Sequence, residues 1–339
     1  MDISQFASQP SDPTWEEPRY EFLNVIHFPR DDNGDLEDRH RTISDRAKAL
    51  NNISQEFVRL IGLNAPPSQV ECFIKKCEVT SLNSSPAVQP NVFAWLNDTD
   101  ALRWASENNN EETVRLLLKR GFSVRPWAVL FAAAKLKETK NTTIIELLLN
   151  SGWDINKPLG ETRPPLLCMV LEVPELVHWC LERGADASLS SPLGLTIIEV
   201  AASCASLDTL KLLLERVGSS RQGDAVARAS LAHTNDSQPD RVEVVRFLLD
   251  QGYPIDECYQ TRDPDPDHNC AEMFFGTQNA LHFAIWSGKE DMVRLLLERG
   301  TDKTRPTRSV MKTDWKTLSP VELARKFGHL NLVPLLEDE

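Results

Sequence analysis

Basic residues are scarce in this chain. Lys and Arg number 37 against 50 Asp and Glu, a formal net charge of −13. Phosphate contacts require a basic footprint, so nucleic-acid binding is not expected. A basic protein segment is the electrostatically favoured partner. No uncharged apolar run approaches the ~18 residues of a membrane span, so no membrane association is expected. The first residues, MDISQFASQPSDPTWEEP, lack the basic and apolar stretches of a signal peptide. The seven cysteines (Cys72, Cys77, Cys168, Cys180, Cys204, Cys258 and Cys270) are odd in number and irregularly spaced, with no CxxC pair. They read as reduced thiols in an intracellular protein of the cytoplasm or nucleus. The composition, 41% apolar and 26% charged, is that of an ordinary folded chain.

Local signatures of chemistry are missing too. There is no Walker A loop, GxGxxG, GxSxG or HExxH. Asp263, Asp265 and Asp267 alternate as in a calcium loop. However, the sixth and twelfth positions, which need Gly and Glu, are His268 and Phe274. Cys258, His268 and Cys270 match no common zinc spacing. No metal or cofactor is expected, and no motif nominates a catalytic residue.

What the chain does contain is a period. A three-residue apolar block closing on glycine recurs as LLLKRG (116–121), LLLNSG (147–152), WCLERG (179–184), FLLDQG (247–252) and LLLERG (295–300), with LLLERVG at 212–218. Each block reads as the end of an amphipathic helix with Gly just beyond it. A second block lies upstream. Leu102 to Leu116, Ile198 to Leu212, Leu281 to Leu295 and Val321 to Leu335 are each 14 residues apart. That interval fits a short helix, a tight turn and the start of a second helix.

NALHFAIWSGKEDMVRLLLERGTD (279–302), SPVELARKFGHLNLVPLL (319–336) and DALRWASENNNEETVRLLLKRG (100–121) resemble the ankyrin repeat, whose pattern runs T-P-L-H-x-A-A, G-H, V-V-x-L-L-L-x-x-G-A-D. LTIIEVAASCASLDTLKLLLER (195–216) and PPLLCMVLEVPELVHWCLERGAD (164–186) follow it, the latter one residue short. Two copies are degenerate: 128–156 carries about three extra residues between its helices, and 224–252 has a weak first helix. The resemblance implies an all-α solenoid of about seven stacked helix-turn-helix units over 97–339. In it His282 and His329 would bond the backbone of adjacent turns.

The departures from the pattern point to function. Insertions at 253–276 and 301–316 lengthen two connections that, in ankyrin proteins, form finger hairpins beside the concave face. Phe122, Trp153 and Tyr253 stand where the family has a small alanine, either packing against neighbouring fingers or facing a ligand. Trp104, Trp127, Trp286 and Trp315 lie on or beside first helices or fingers. Residues 1–96 do not match the repeat. They read as mixed strand and helix: a strand at 21–28, helices within 36–63, a stop at Pro66-Pro67 and a further helix at 68–82. This segment either caps the first repeat or covers the groove.

By resemblance, the leading function is a protein-interaction module or scaffold, with partner contacts expected at Trp153, Tyr253, Trp286 and Trp315. The alternative is an ankyrin-fold enzyme. In it the N-terminal region would close an apolar pocket around a small hydrophobic molecule for acid–base isomerisation or cyclisation.

Overall fold

The computed structural model describes residues 51–82, 96–160, 163–192, 194–218, 223–231, 241–259, 278–308 and 317–337. The strand expected at 21–28, and the start of the helical stretch expected within 36–63, lie outside these residues. The chain forms two compact units, Met1–Ser123 and Val124–Glu339.

In the first unit, a helix over 51–62 (α1) and a helix Pro67–Leu82 (α2) precede the pair Ala101–Glu107 (α3) and Glu111–Lys119 (α4). Ile53, Phe57 and Leu60 share one face of α1, and Val70, Phe73, Ile74 and Cys77 one face of α2; all are buried. Phe57 lies 5.7 Å from Phe73 and 5.8 Å from Phe122, ring centroid to centroid. Arg120 reaches Glu71 at 3.1 Å and Glu78 at 3.2 Å, tying the end of α4 to α2.

Although 51–82 lacks the repeat sequence, its turn is built like that of the following pair. Asn64 has φ 58, and the next amide, of Ala65, donates to Leu60 O at 2.9 Å. In the following pair Asn109 has φ 52 and Asn110 N donates to Ala105 O at 2.9 Å. The sequence gap arises because Asn, whose short polar side chain tolerates the left-handed region, replaces Gly.

The second unit continues with pairs Pro126–Thr139 (α5) and Thr143–Asn150 (α6), Leu166–Met169 (α7) and Pro174–Glu182 (α8), Ile197–Cys204 (α9) and Leu207–Val217 (α10), Ala225–Leu231 (α11) and Val242–Asp250 (α12), and Ala280–Trp286 (α13) and Glu290–Glu298 (α14). Strands Thr307–Arg308 (β1) and Thr317–Leu318 (β2) lead into Pro320–Lys326 (α15), a 3-10 turn and Val333–Glu337 (α16). First helices pack on first helices (α9 on α11, α11 on α13, α13 on α15), and α12 packs on α14. Small residues such as Ala201, Ala202, Ala229 and Ala284 allow this close approach. The extra residues of the second repeat enter its first helix, so α5 has 14 residues where α13 has 7. The weak first helix of 224–252 is fully formed, with Ala225, Val226, Ala227 and Ala229 buried.

Two devices set the register. The first is the capping box, found at Thr196/Glu199, Asn279/His282 and Ser319/Glu322. Buried Glu199 caps its own helix and also accepts from Asp224 N at 3.2 Å in the next repeat. His282 accepts from Asn279 N at Nδ1, 3.1 Å away, and donates from Nε2 to Arg305 O at 2.9 Å. Burial pushes its pKa below the usual histidine value.

The second device is a strap at the inter-helix turn. Asn110 Nδ2 donates to Asn64 Oδ1, Lys289 Nζ to Ser230 O at 3.1 Å, and His329 Nε2 to Trp286 O at 3.2 Å. Each ties a turn to the turn of the preceding pair. Asn108 Nδ2 adds a bond to Ile61 O at 2.9 Å.

Gly288 has φ 68, and a Cβ there would lie 2.5 Å from His329 Cε1. Gly288→Ala is therefore expected to cost about 1–2 kcal/mol for the left-handed backbone alone, and more for displacing the strap, measurable as a lower urea midpoint. His282 is favoured neutral in the fold. Its contribution is present above the unfolded pKa of about 6.5 and declines as pH falls below it. The stability gap between the parent and His282→Gln is expected to be widest near pH 8 and to narrow below pH 6.5 in thermal melts.

Candidate protein-binding surface

Among the described residues, three connections from a second helix to the next first helix pair as finger hairpins at their bases. Between α8 and α9, Ser190 pairs with Thr196 and Ser191 N donates to Leu195 O at 2.8 Å. Between α12 and α13, Tyr259 N donates to Gln278 O at 2.8 Å and closes the base of the long insertion. Between α14 and α15, β1 and β2 are antiparallel, with Thr307 opposite Leu318 and Arg308 opposite Thr317.

The finger roots are tied to one another. Asp256 accepts from Asn279 Nδ2 at 2.8 Å, Thr301 Oγ1 at 2.6 Å and Asp302 N at 3.1 Å. Arg305 donates from Nη1 to Asp256 O at 2.8 Å, and its Nη2 lies 3.2 Å from Cys258 Sγ. Asn156 does the same for an earlier pair of fingers, donating to Gly184 O at 3.0 Å and accepting from Asp186 N at 2.8 Å. The hydroxyl of Thr304 beside Asp302, and that of Ser188 beside Asp186, hold those carboxyls below the usual range.

Behind the roots runs a buried polar chain. Arg228 Nε donates to Asp224 Oδ1 at 2.7 Å, and both side chains are at least nine-tenths buried. The Arg228 guanidinium lies 4.6 Å from the ring of Tyr259, which meets Phe283 edge-on at 5.6 Å. Breaking such a pair from one side strands a buried charge, which costs about 3–5 kcal/mol. The chain therefore holds the base of the long insertion in one place. Its titratable members are accounted for by structural bonds.

The aromatic residues singled out in the sequence lie in different environments. Trp153 and Tyr253 are only 6% and 4% exposed. Each amide donates back to the preceding second helix, to Leu148 O and Leu248 O, which turns the ring inward. Lys157 stands 4.6 Å over the Trp153 ring. Trp286 is half-buried at the end of α13, edge-on to Phe327 at 6.4 Å. Trp315 lies outside the described residues. Among the described residues the aromatic with the most open surface is Trp127, 49% exposed, with Phe131 at 6.3 Å and Arg163 at 5.9 Å. Its sequence signal is Pro126 before it: Pro starts the helix, leaving Trp127 in the first turn rather than in the helix–helix seam.

Cys72, Cys77, Cys168, Cys180, Cys204 and Cys258 are free thiols. Burial pushes Cys77, Cys168 and Cys180 up to about 12, far from reactive thiolates. Among the described residues no group of His, Cys, Asp and Glu is placed to hold a metal ion; His268 and Cys270 lie outside them. No described helix is long and apolar enough to cross a membrane.

The family model for the ankyrin repeat matches residues 278–308, which span α13, α14 and the roots of two fingers. No curated protein matches the sequence. Among solved structures, the human ASB11 ankyrin repeat domain is similar at 18% identity, covering 70% of this chain and 98% of that one, with a TM-score of 0.47. Residues 278–308 thus match the ankyrin repeat, and the helix pair seen there recurs along the second unit.

Proposed function

We propose that the protein binds a segment of another protein along the finger edge and first helices of its last three repeats. The observation that carries this reading is the network at Asp256 and Arg305, which fixes the roots of both long insertions before any partner arrives. Preorganised fingers reduce the ordering cost of binding. Trp286, half-buried at the far end of α13 from these roots, and Trp315, within the shorter insertion, are the proposed anchors. Trp153 and Tyr253 support the fingers from beneath. The charge of −13 favours a basic segment in the partner. Residues 51–82 serve as the cap of the first repeat.

Trp286→Ala with Trp315→Ala is expected to leave the melting temperature within a few degrees of the parent. Proteins retained by the parent in affinity capture, identified by mass spectrometry, should be lost from the double variant; unchanged capture would remove this surface from consideration. Trp153→Ala or Tyr253→Ala should instead lower stability by about 3–5 kcal/mol, as large-to-small core changes do. For the cap, Phe57→Ala is expected to cost a similar ~3–5 kcal/mol, read from denaturant unfolding.

A further inference from the structure

The strap position is anomalous in one repeat. Asn110, Lys289 and His329 occupy it with side chains that remain partly exposed. Arg241, at the same position before α12, is 1% exposed. Its Nη1 donates to Ala205 O, as the strap requires. Its Nε and Nη2 are buried without any hydrogen-bond partner. These two nitrogens form one edge of the guanidinium, the edge that grips an oxyanion with two parallel bonds. Arginine cannot shed its charge to relieve the loss of water. Among the described residues no carboxylate pairs with it.

Two further observations give the site its sign and its access. Arg241 is the N-cap residue of α12, a helix of 9 residues that receives no side-chain cap, so the helix dipole adds positive potential. Ser203 and Cys204, which precede the strapped carbonyl, are half-exposed, so the fork lies close to solvent. Burial raises the Cys204 thiol to about 11 and Glu172 adds to this, while Arg241 and Lys137 oppose it. Lys137 therefore stands within electrostatic reach of the same spot, with Glu172 held on it at 2.8 Å.

We propose that the Nε/Nη2 edge of Arg241 binds a small free oxyanion, phosphate or sulfate, between the end of α9 and the start of α12. With Arg241 only 1% exposed the edge must open to admit any ligand, and a small free ion, which needs the least opening, is chosen over a partner's side chain. The bound ion replaces the missing counter-charge and locks the fourth repeat of the array to the fifth.

The test is thermal unfolding of the full chain with inorganic phosphate, chloride being used to hold ionic strength constant. The parent should show a saturable rise of about 2–4 °C. Arg241→His, which keeps a strap of the kind His329 makes, should lose that rise. Arg241→Lys keeps the charge without the fork and should need at least about tenfold more phosphate for half the effect. No rise in the parent, an equal rise in Arg241→His, or an unchanged midpoint in Arg241→Lys would each overturn the assignment.

Discussion

A pair of short helices cannot hide both of its faces from water, and the structure depends on how each pair is fixed to the one before it. The inter-helix turn does this in two steps. At Asn109, Gly288 and Gly328 a left-handed residue reverses the chain, and the side chain that follows reaches back to the preceding turn. Where the left-handed residue is Gly288, the strap His329 of the next repeat packs directly on the missing Cβ. The strap and the backbone requirement therefore act at one point. Loss of either separates the apolar surfaces that stabilise the array, which in such solenoids are nearest-neighbour interfaces.

Polar groups buried along the first helices follow the same economy of position. Glu199 serves its own helix and the next repeat at once, and His282 serves its cap and the following finger. A residue shared between neighbours makes the register specific in a way that apolar contact does not, because a slip of one position would leave a buried carboxylate or imidazole unpaired.

Much of this was legible before the structure. The 14-residue interval from Leu281 to Leu295, with Gly300 beyond, marks the helix pair directly, and the TPLH-like histidine at 282 sits where its bonds require. That the helices of 51–82 pair as a repeat does was not legible, since their turn uses Asn64 where the repeat pattern has Gly and their shared surface is aromatic rather than alanine-rich. The extra residues after 128 read as a loop insertion, whereas α5 absorbs them by lengthening; Ala132, Ala133 and Leu136 continue the helical face that a loop would not need. Within the candidate site, sequence position alone could not say which way an aromatic turns. Trp153 and Tyr253 follow a positive-φ glycine whose geometry sends the next ring under the finger. Trp127, one residue past a helix-starting proline, faces outward instead.

The tie between Asp256 and Arg305 has a consequence for how such a chain can vary. It closes the framework beneath the two long insertions, with Tyr259 and Gln278 meeting at the base of one and Thr307 and Leu318 at the base of the other. The bonds that join Asp256 to Asn279, Thr301, Asp302 and Arg305 are all made within that framework. A change of length, charge or shape in the insertions therefore leaves these bonds in place, and the molecule separates what must be inherited unchanged from what can be re-aimed at a new partner.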